Sequence, residues 1–249
     1  MRGKSRPLSI MRRGIADLMR VTATVPLVAV ERPMNIARLM QARQSLPERV
    51  PLTAIILKAY ARVADEFVDL RQVYLRYPWP HLYEYPMSVA SMTVEREHEG
   101  APCVFIMTLK NPSAMPVPAI AAAIVEAQTA PVEQIRTFAR IMRINRLPWI
   151  IRRPLWWLGF NIGRIRANHF GTFGISIVSS LGGELPFFQS PLTSALNYGV
   201  IQPNGDVTAR ILIDHRVIDG LQSARVLKRL EEVLNNEMVA EIQAIPTPV

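Results

Sequence analysis

A histidine and an aspartate four residues apart, His215 and Asp219, have the types and spacing for proton transfer. Imidazole is the side chain whose ordinary pKa lies near neutrality, so it can take a proton from a thiol or hydroxyl at working pH. The pair lies in the run Asp214-His215-Arg216-Val217-Ile218-Asp219-Gly220. Before that run, Val207, Ala209, Ile211 and Ile213 alternate with Thr208, Arg210, Leu212 and Asp214, the period of a strand with two unlike faces. After it, Val217, Leu221, Ala224, Leu227, Leu230 and Leu234 recur at three- and four-residue steps, which predicts a helix. The histidine is thus expected at a strand–turn–helix junction, held from both sides. A His with an Asp four residues on is also an ordinary surface or core pair, and spacing alone leaves both readings open.

The chain of 249 residues can form one large domain or two small ones, and its 49% hydrophobic share is that of a protein with a sizeable core. Its single cysteine excludes an intrachain disulfide and a Cys-rich zinc site, and suits a reducing compartment. Cys103 stands in the apolar run Cys103-Val104-Phe105-Ile106-Met107, as a buried strand residue rather than a nucleophile. Residues 1–13 are basic but lack the apolar core of a secretory signal. No stretch reaches the roughly 20 apolar residues that a membrane span needs. The expected location is the cytoplasm, with a peripheral place at the inner face of the membrane as the alternative. Net charge is +9, and eight arginines between positions 136 and 166, with no acidic residue among them, account for most of it.

Taken in order, residues 7–19 read as a capped helix with Ser9 as N-cap and Met11, Ile15, Leu18 and Met19 as its apolar stripe. A short strand over 25–30 and a helix over 35–44 follow. Residues 51–64 predict a strong helix, Thr53 a candidate cap, with Ile56, Leu57, Tyr60, Ala61 and Ala64 inward. The prolines and aromatics of 77–86 predict a rigid loop able to line a pocket, with His81 a surface residue rather than a ligand. Residues 88–94 and 102–109 read as paired strands around a charged turn at 95–100, and 118–128 as a helix. Asn204-Gly205 marks a hairpin turn expected to use two positive φ values.

The Asp-His-Arg-Val-Ile-Asp-Gly run resembles the DHRxxDG signature of the catalytic domain of 2-oxoacid dehydrogenase acyltransferases, relatives of chloramphenicol acetyltransferase. Pro7-Leu8-Ser9-Ile10-Met11-Arg12-Arg13 is similar to the PLSxxRKxIAxxM opening of that domain. Gly171-Thr172-Phe173-Gly174-Ile175-Ser176 is similar to its GGTFTISN segment, and residues 191–200 to its NPPQAxILxVG strand. The resemblance implies an α/β (α+β two-layer) chloramphenicol acetyltransferase-like fold, a mixed sheet with helices on one face. It covers nearly the whole chain, 1–249, as a single domain, and is weak between about 70 and 170.

The resemblance also implies roles. His215 would be the general base and Ser176 would donate to the oxyanion of the tetrahedral intermediate, a large term in acyl transfer. The family Asn after that serine is Ile177 here, which leaves Ser179 and Ser180 as alternatives. Asp219, linked to Arg12 or Arg13, would hold the histidine loop, with Asp214 and Gly220 in support. Coenzyme A is the implied acyl carrier, no metal is implied, and homotrimers or larger assemblies of them are expected. No lipoyl attachment site or subunit-binding domain is expected before the domain.

The Arg/Trp-rich stretch at about 136–168 departs from the family and is expected to be an insertion. Trp149, Ile150, Ile151, Leu155, Trp156, Trp157, Leu158, Phe160 and Ile162 interleave with Arg152, Arg153, Arg164 and Arg166. A basic helix with Trp and Leu on one side is the pattern of a helix lying in a membrane surface, where arginines meet anionic head groups. Packing on a neighbouring subunit, or reception of an acyl carrier, fits the same residues. Nucleic acid is the least supported, for no recognised motif or aromatic platform accompanies the charge.

The expected function is CoA-dependent acyl transfer to a thiol, hydroxyl or amine, on a lipid-like or carrier-bound substrate. A non-catalytic trimeric scaffold and a dihydrolipoamide acyltransferase core served by a lipoyl domain on another chain are the alternatives.

Overall fold

The computed structural model describes residues 1, 3–46, 50–98, 100–176, 183 and 185–245. Helix α1 (Ile10–Thr22) starts where expected: the Ser9 side chain accepts the Arg12 backbone N–H at 3.3 Å, satisfying one of the donors a helix start leaves free. Its buried side runs through Met11, Gly14 and Asp17 instead of Met19, which is exposed. Gly14 is there for a close approach, since a Cβ at that position would meet the Asn145 side chain at 2.3 Å.

Strand β1 (Leu27–Asn35) and helices α2 (Ala37–Gln44) and α3 (Leu52–Glu66) follow. Ile56, Leu57, Tyr60, Ala61 and Ala64 of α3 are all buried, as their spacing predicts. Thr53 does not cap that helix: Pro51 holds the N-cap position, and the Thr53 side chain hydrogen-bonds Tyr198 instead.

The aromatic and proline stretch is only partly a loop. Strand β2 (Gln72–Leu75) pairs antiparallel with β3 (His81–Glu84), so the prolines flank a two-stranded ribbon rather than fill it. The charged turn is also shorter than expected, because β4 (Val89–His98) and β5 (Ala101–Lys110) stay paired as far as His98 and Ala101. Charged side chains on an edge pair can point to water, so they do not end the strands.

Helix α4 (Val117–Thr129) leads to α5 (Arg136–Arg146), α6 (Trp149–Asn161) and α7 (Gly163–Phe170). The rest is β6 (Phe173–Ile175), β7 (Ser194–Tyr198), β8 (Asp206–Asp214), α8 (Gly220–Asn235) and α9 (Glu237–Gln243). In the turn before β8 only Gly205 has positive φ, at 87°; the Asn204 side chain bonds Asp206.

Among the described residues the main sheet has six strands in the order β1-β8-β7-β6-β4-β5. Strand β6 runs parallel to β4 and β7, and the other pairs are antiparallel. Val207, Ala209, Ile211 and Ile213 of β8 join Tyr60 of α3 and Leu227 and Leu230 of α8 in one buried cluster. The opposite side of β8 is covered too: Arg210, Leu212 and Asp214 are buried, so the alternation there is chemical rather than inside against outside. On α8 the covered stripe is Ser223, Val226, Leu227, Leu230, Val233 and Leu234, and Leu221 faces solvent.

Candidate active site

The turn after β8 is built by Asp214. Its carbonyl accepts the backbone N–H groups of Val217 and Ile218, and its own N–H donates to Thr193 at 2.9 Å. The carboxylate, fully buried, takes the Arg216 backbone N–H at 3.1 Å and that residue's guanidinium through Nε at 2.8 Å and Nη2 at 2.7 Å. Two parallel charge-assisted bonds fix the orientation of both groups. The guanidinium then stacks on Tyr74, 4.4 Å from the ring centroid.

His215 is held between these groups. Its backbone N–H donates to Pro26 of the segment before β1, at 3.1 Å. Its Nδ1 lies 3.1 Å from the Ile218 carbonyl oxygen. A carbonyl can only accept, so Nδ1 carries the proton and Nε2 keeps its lone pair. The side chain is 49% exposed. Asp219, at the N-cap of α8, places Oδ1 3.6 Å from Nδ1 and is 87% exposed. That is a loose contact, so the Ile218 carbonyl does more than the carboxylate to set the tautomer.

Arg12 does not reach Asp219. It is exposed on α1, and the ion-pair partner of Asp219 among the described residues is His215. Arg13 turns to the Leu8 carbonyl instead. At Gly220 a Cβ would meet nothing within 4 Å, so this chain's own packing does not demand glycine there.

Ser176 sits just past β6, its N–H donating to Leu196 at 3.1 Å. Phe173, Ser194 and Ile213 stand in line across β6, β7 and β8. His215 lies beyond that line in one direction and Ser176 beyond it in the other. At roughly 3.3 Å per residue the two backbones are about 17 Å apart along the strands. Within one chain they cannot serve the same reacting atom. Ser179 and Ser180 lie outside the described residues.

The Arg/Trp stretch folds as α5, α6 and α7 against α1 and the β5 end of the sheet. Two of its arginines turn inward: Arg152 donates to Asp17 of α1, and Arg166 to the Pro191 carbonyl. Burial pushes the Arg166 guanidinium down to about 10, while Tyr85 and Asp214 nearby pull it back up. Trp156, Phe160 and Phe170 stack, with Phe160 and Phe170 centroids 4.0 Å apart. Trp149, Ile150, Ile151, Leu155, Trp157 and Leu158 remain exposed. No helix of the described residues is long and apolar enough to cross a membrane.

Between this arm and the histidine turn lies a cavity of about 680 Å³, within the range of small-molecule sites. Val25, Arg216, Trp156, Trp157 and Phe160 are among its lining residues. Tyr77, from the stretch expected to line a pocket, does so; the His215 side chain is outside the lining. Sequence reasoning missed the part the arginines play in this cavity, because those of the Arg/Trp stretch read as a membrane-facing or subunit-packing set. The acidic Asp17 at a helical position among apolar neighbours was the available signal.

No protein-family model matches the chain, and no curated protein matches it in sequence. Solved structures do. A probable dihydrolipoamide acetyltransferase from Listeria monocytogenes superposes with a TM-score of 0.65 at 18% identity, over 99% of this chain and 98% of that one. A dihydrolipoamide acetyltransferase from Azotobacter vinelandii gives 0.64 at 19%, over 95% and 93%. That structure was solved to study the catalytic role of a serine, a histidine and an asparagine four residues after the histidine. A chloramphenicol acetyltransferase gives 0.52 at 14%, over 93% and 100%. The fold expected from the sequence is therefore the fold observed.

Proposed function

We propose that the chain is an acyltransferase whose active site is completed between two copies, with coenzyme A as acyl carrier. The observation that carries this reading is His215: Nδ1 engaged by the Ile218 carbonyl, Nε2 free, and the ring exposed on a rigid strand–turn–helix junction. A base for proton abstraction needs that tautomer and that access. The oxyanion donor it requires lies at the far end of the same sheet, so a neighbouring copy must bring it. The likeness to acetyltransferase cores supports such an arrangement in a homotrimer.

In the proposed cycle Nε2 of His215 takes the proton from the thiol, hydroxyl or amine of the acceptor. The acceptor attacks the thioester carbonyl, and the Ser176 hydroxyl of the neighbouring copy donates to the oxyanion that forms. Collapse of the tetrahedral intermediate breaks the carbon–sulfur bond, and the departing coenzyme A thiolate recovers the proton from the imidazolium. Asp219 stands 3.6 Å from Nδ1 on the side away from the acceptor-facing Nε2. Asp214 holds the loop through Arg216.

Subunit mixing tests this reading. His215→Ala and Ser176→Ala should each remove transfer from acetyl-coenzyme A, by about 10² to 10⁴-fold. Mixed and allowed to exchange subunits, the two dead variants should regain activity, since some interfaces then pair an intact His215 with an intact Ser176. No recovery in verified mixed oligomers would place the serine's role elsewhere. The likeness to dihydrolipoamide acetyltransferases favours a second reading, a core that takes its lipoyl group from another chain. Transfer to free dihydrolipoamide and to no hydroxyl or amine would select it. Coenzyme A binding without turnover on any acceptor would select the scaffold.

A further inference from the structure

The cavity between the arm and the histidine turn carries one sign of charge, although the His215 side chain is outside its lining. Arg20, Arg76, Arg153, Arg166 and Arg216 line it, against one carboxylate, Asp17, which Arg152 already engages. Arg216 is matched by Asp214, which leaves the buried Arg166 beside an ion pair that is already complete. Two further donors are buried in the lining without a hydrogen-bond partner: Nε1 of Trp156, a side chain only 6% exposed, and Nε of Arg153, which stands 3.9 Å from the Asp17 carboxylate that Arg152 already holds. A buried donor without an acceptor is costly, and a ligand that supplies the acceptor removes that cost. The unmet groups are all donors or cations. The rest of the lining is largely apolar and includes the rings of Trp156, Trp157 and Phe160.

We infer that this cavity binds an amphiphilic organic anion, its oxyanion head on Arg153 and Trp156 Nε1 and its apolar body on the aromatic wall. A concave, weakly screened site lined by one sign of charge concentrates ligands of the other sign. Guanidinium groups meet carboxylate and phosphate oxygens in the same two-pronged way. The aromatic faces exclude a bare inorganic ion as the best occupant, and the cations exclude a neutral lipid. The inference goes beyond the proposed chemistry and does not need it, because His215 is outside the lining.

Tryptophan fluorescence titration of the full chain tests it with decanoate, decyl phosphate, decanol and inorganic phosphate. Decanoate or decyl phosphate should bind at least about tenfold more tightly than decanol and than inorganic phosphate. Which of the two binds better identifies the head group. Arg153→Gln and Trp157→Ala, both at partly exposed side chains, should each weaken binding by about tenfold or more. His215→Ala should leave it unchanged, so loss of turnover and loss of this site are read separately. Equal binding of decanol, unchanged binding in both variants, or absence of saturable binding would overturn the inference. So would competitive displacement of decanoate by coenzyme A, which would give the cavity to the coenzyme.

Discussion

The Nε–H of Arg152 on α6 donates to the carboxylate of Asp17 on α1, and both side chains are closed off from solvent. Arg153 approaches the other carboxylate oxygen at 3.9 Å. One acidic residue thus draws two arginines of a stretch that has no acid of its own, and it turns a basic segment into the wall of a cavity.

Asp17→Ala should therefore destabilise the protein by about 3–5 kcal/mol, the usual effect of leaving a buried charge without its partner. Replacing both members, Asp17→Leu with Arg152→Met, should recover most of that loss. Urea denaturation midpoints for the single and double variants measure it. A single variant within about 0.5 kcal/mol of the parent would mean that solvent reaches the pair.

The arm also carries a pH-dependent contact. Arg140 donates to the His169 ring nitrogen Nδ1 at 2.7 Å, which requires a neutral acceptor nitrogen. Burial first, and the Arg140 charge second, hold the His169 pKa below the ordinary 6.5. A histidine with a depressed folded pKa contributes stability that is present above 6.5 and is lost as pH falls below it. Unfolding free energy should thus decline as pH falls below about 6.5. His169→Gln should flatten that slope. The Glu66 carboxylate, held low by Arg229, acts only below the ordinary carboxylate value of 4.5, so the two effects separate.

The strand–turn–helix around His215 was legible because periodicity switches from two to about 3.6 within a few residues, and each pattern is strong. The family resemblance at that turn and at the opening helix correctly gave the fold. What the sequence hid depends on tertiary contacts. Thr53 has a capping side chain, yet Tyr198 takes it. Arg12 is at the expected position, but the ion pair to α6 is made by Asp17, five residues further along α1. The arginines of α6 and α7 could not be divided into inward and outward ones, because the division is made by Asp17 and the Pro191 carbonyl, more than 20 residues away. The distance between His215 and Ser176 is likewise a matter of strand register.

If His215 is the base, its two neighbours should weigh very differently. His215→Gln should lower kcat by about 10³-fold. Asp219→Asn should cost less than about tenfold, because the Ile218 carbonyl sets the tautomer at 3.1 Å while the carboxylate stands at 3.6 Å and open to water. Steady-state kinetics with acetyl-coenzyme A decide it. A loss at Asp219 as large as at His215 would show that the carboxylate orients the ring.

The Asp214–Arg216 pair should be felt at the histidine although neither residue touches substrate in the proposed cycle. Lysine in place of Arg216 keeps the charge but cannot make both bonds, to Oδ1 and Oδ2, or stack on Tyr74. Arg216→Lys should lower stability by about 1 kcal/mol and kcat by about tenfold, with KM for acetyl-coenzyme A little changed. Asp214→Asn should do more, about 2–3 kcal/mol, since it leaves Arg216 and the buried Arg166 side by side without an anion. Thermal unfolding and initial rates on the same samples separate the two effects. Activity lost only in proportion to the unfolded fraction would make the pair a fold support, whereas a fall in kcat of the folded protein would make it a positioning device for His215.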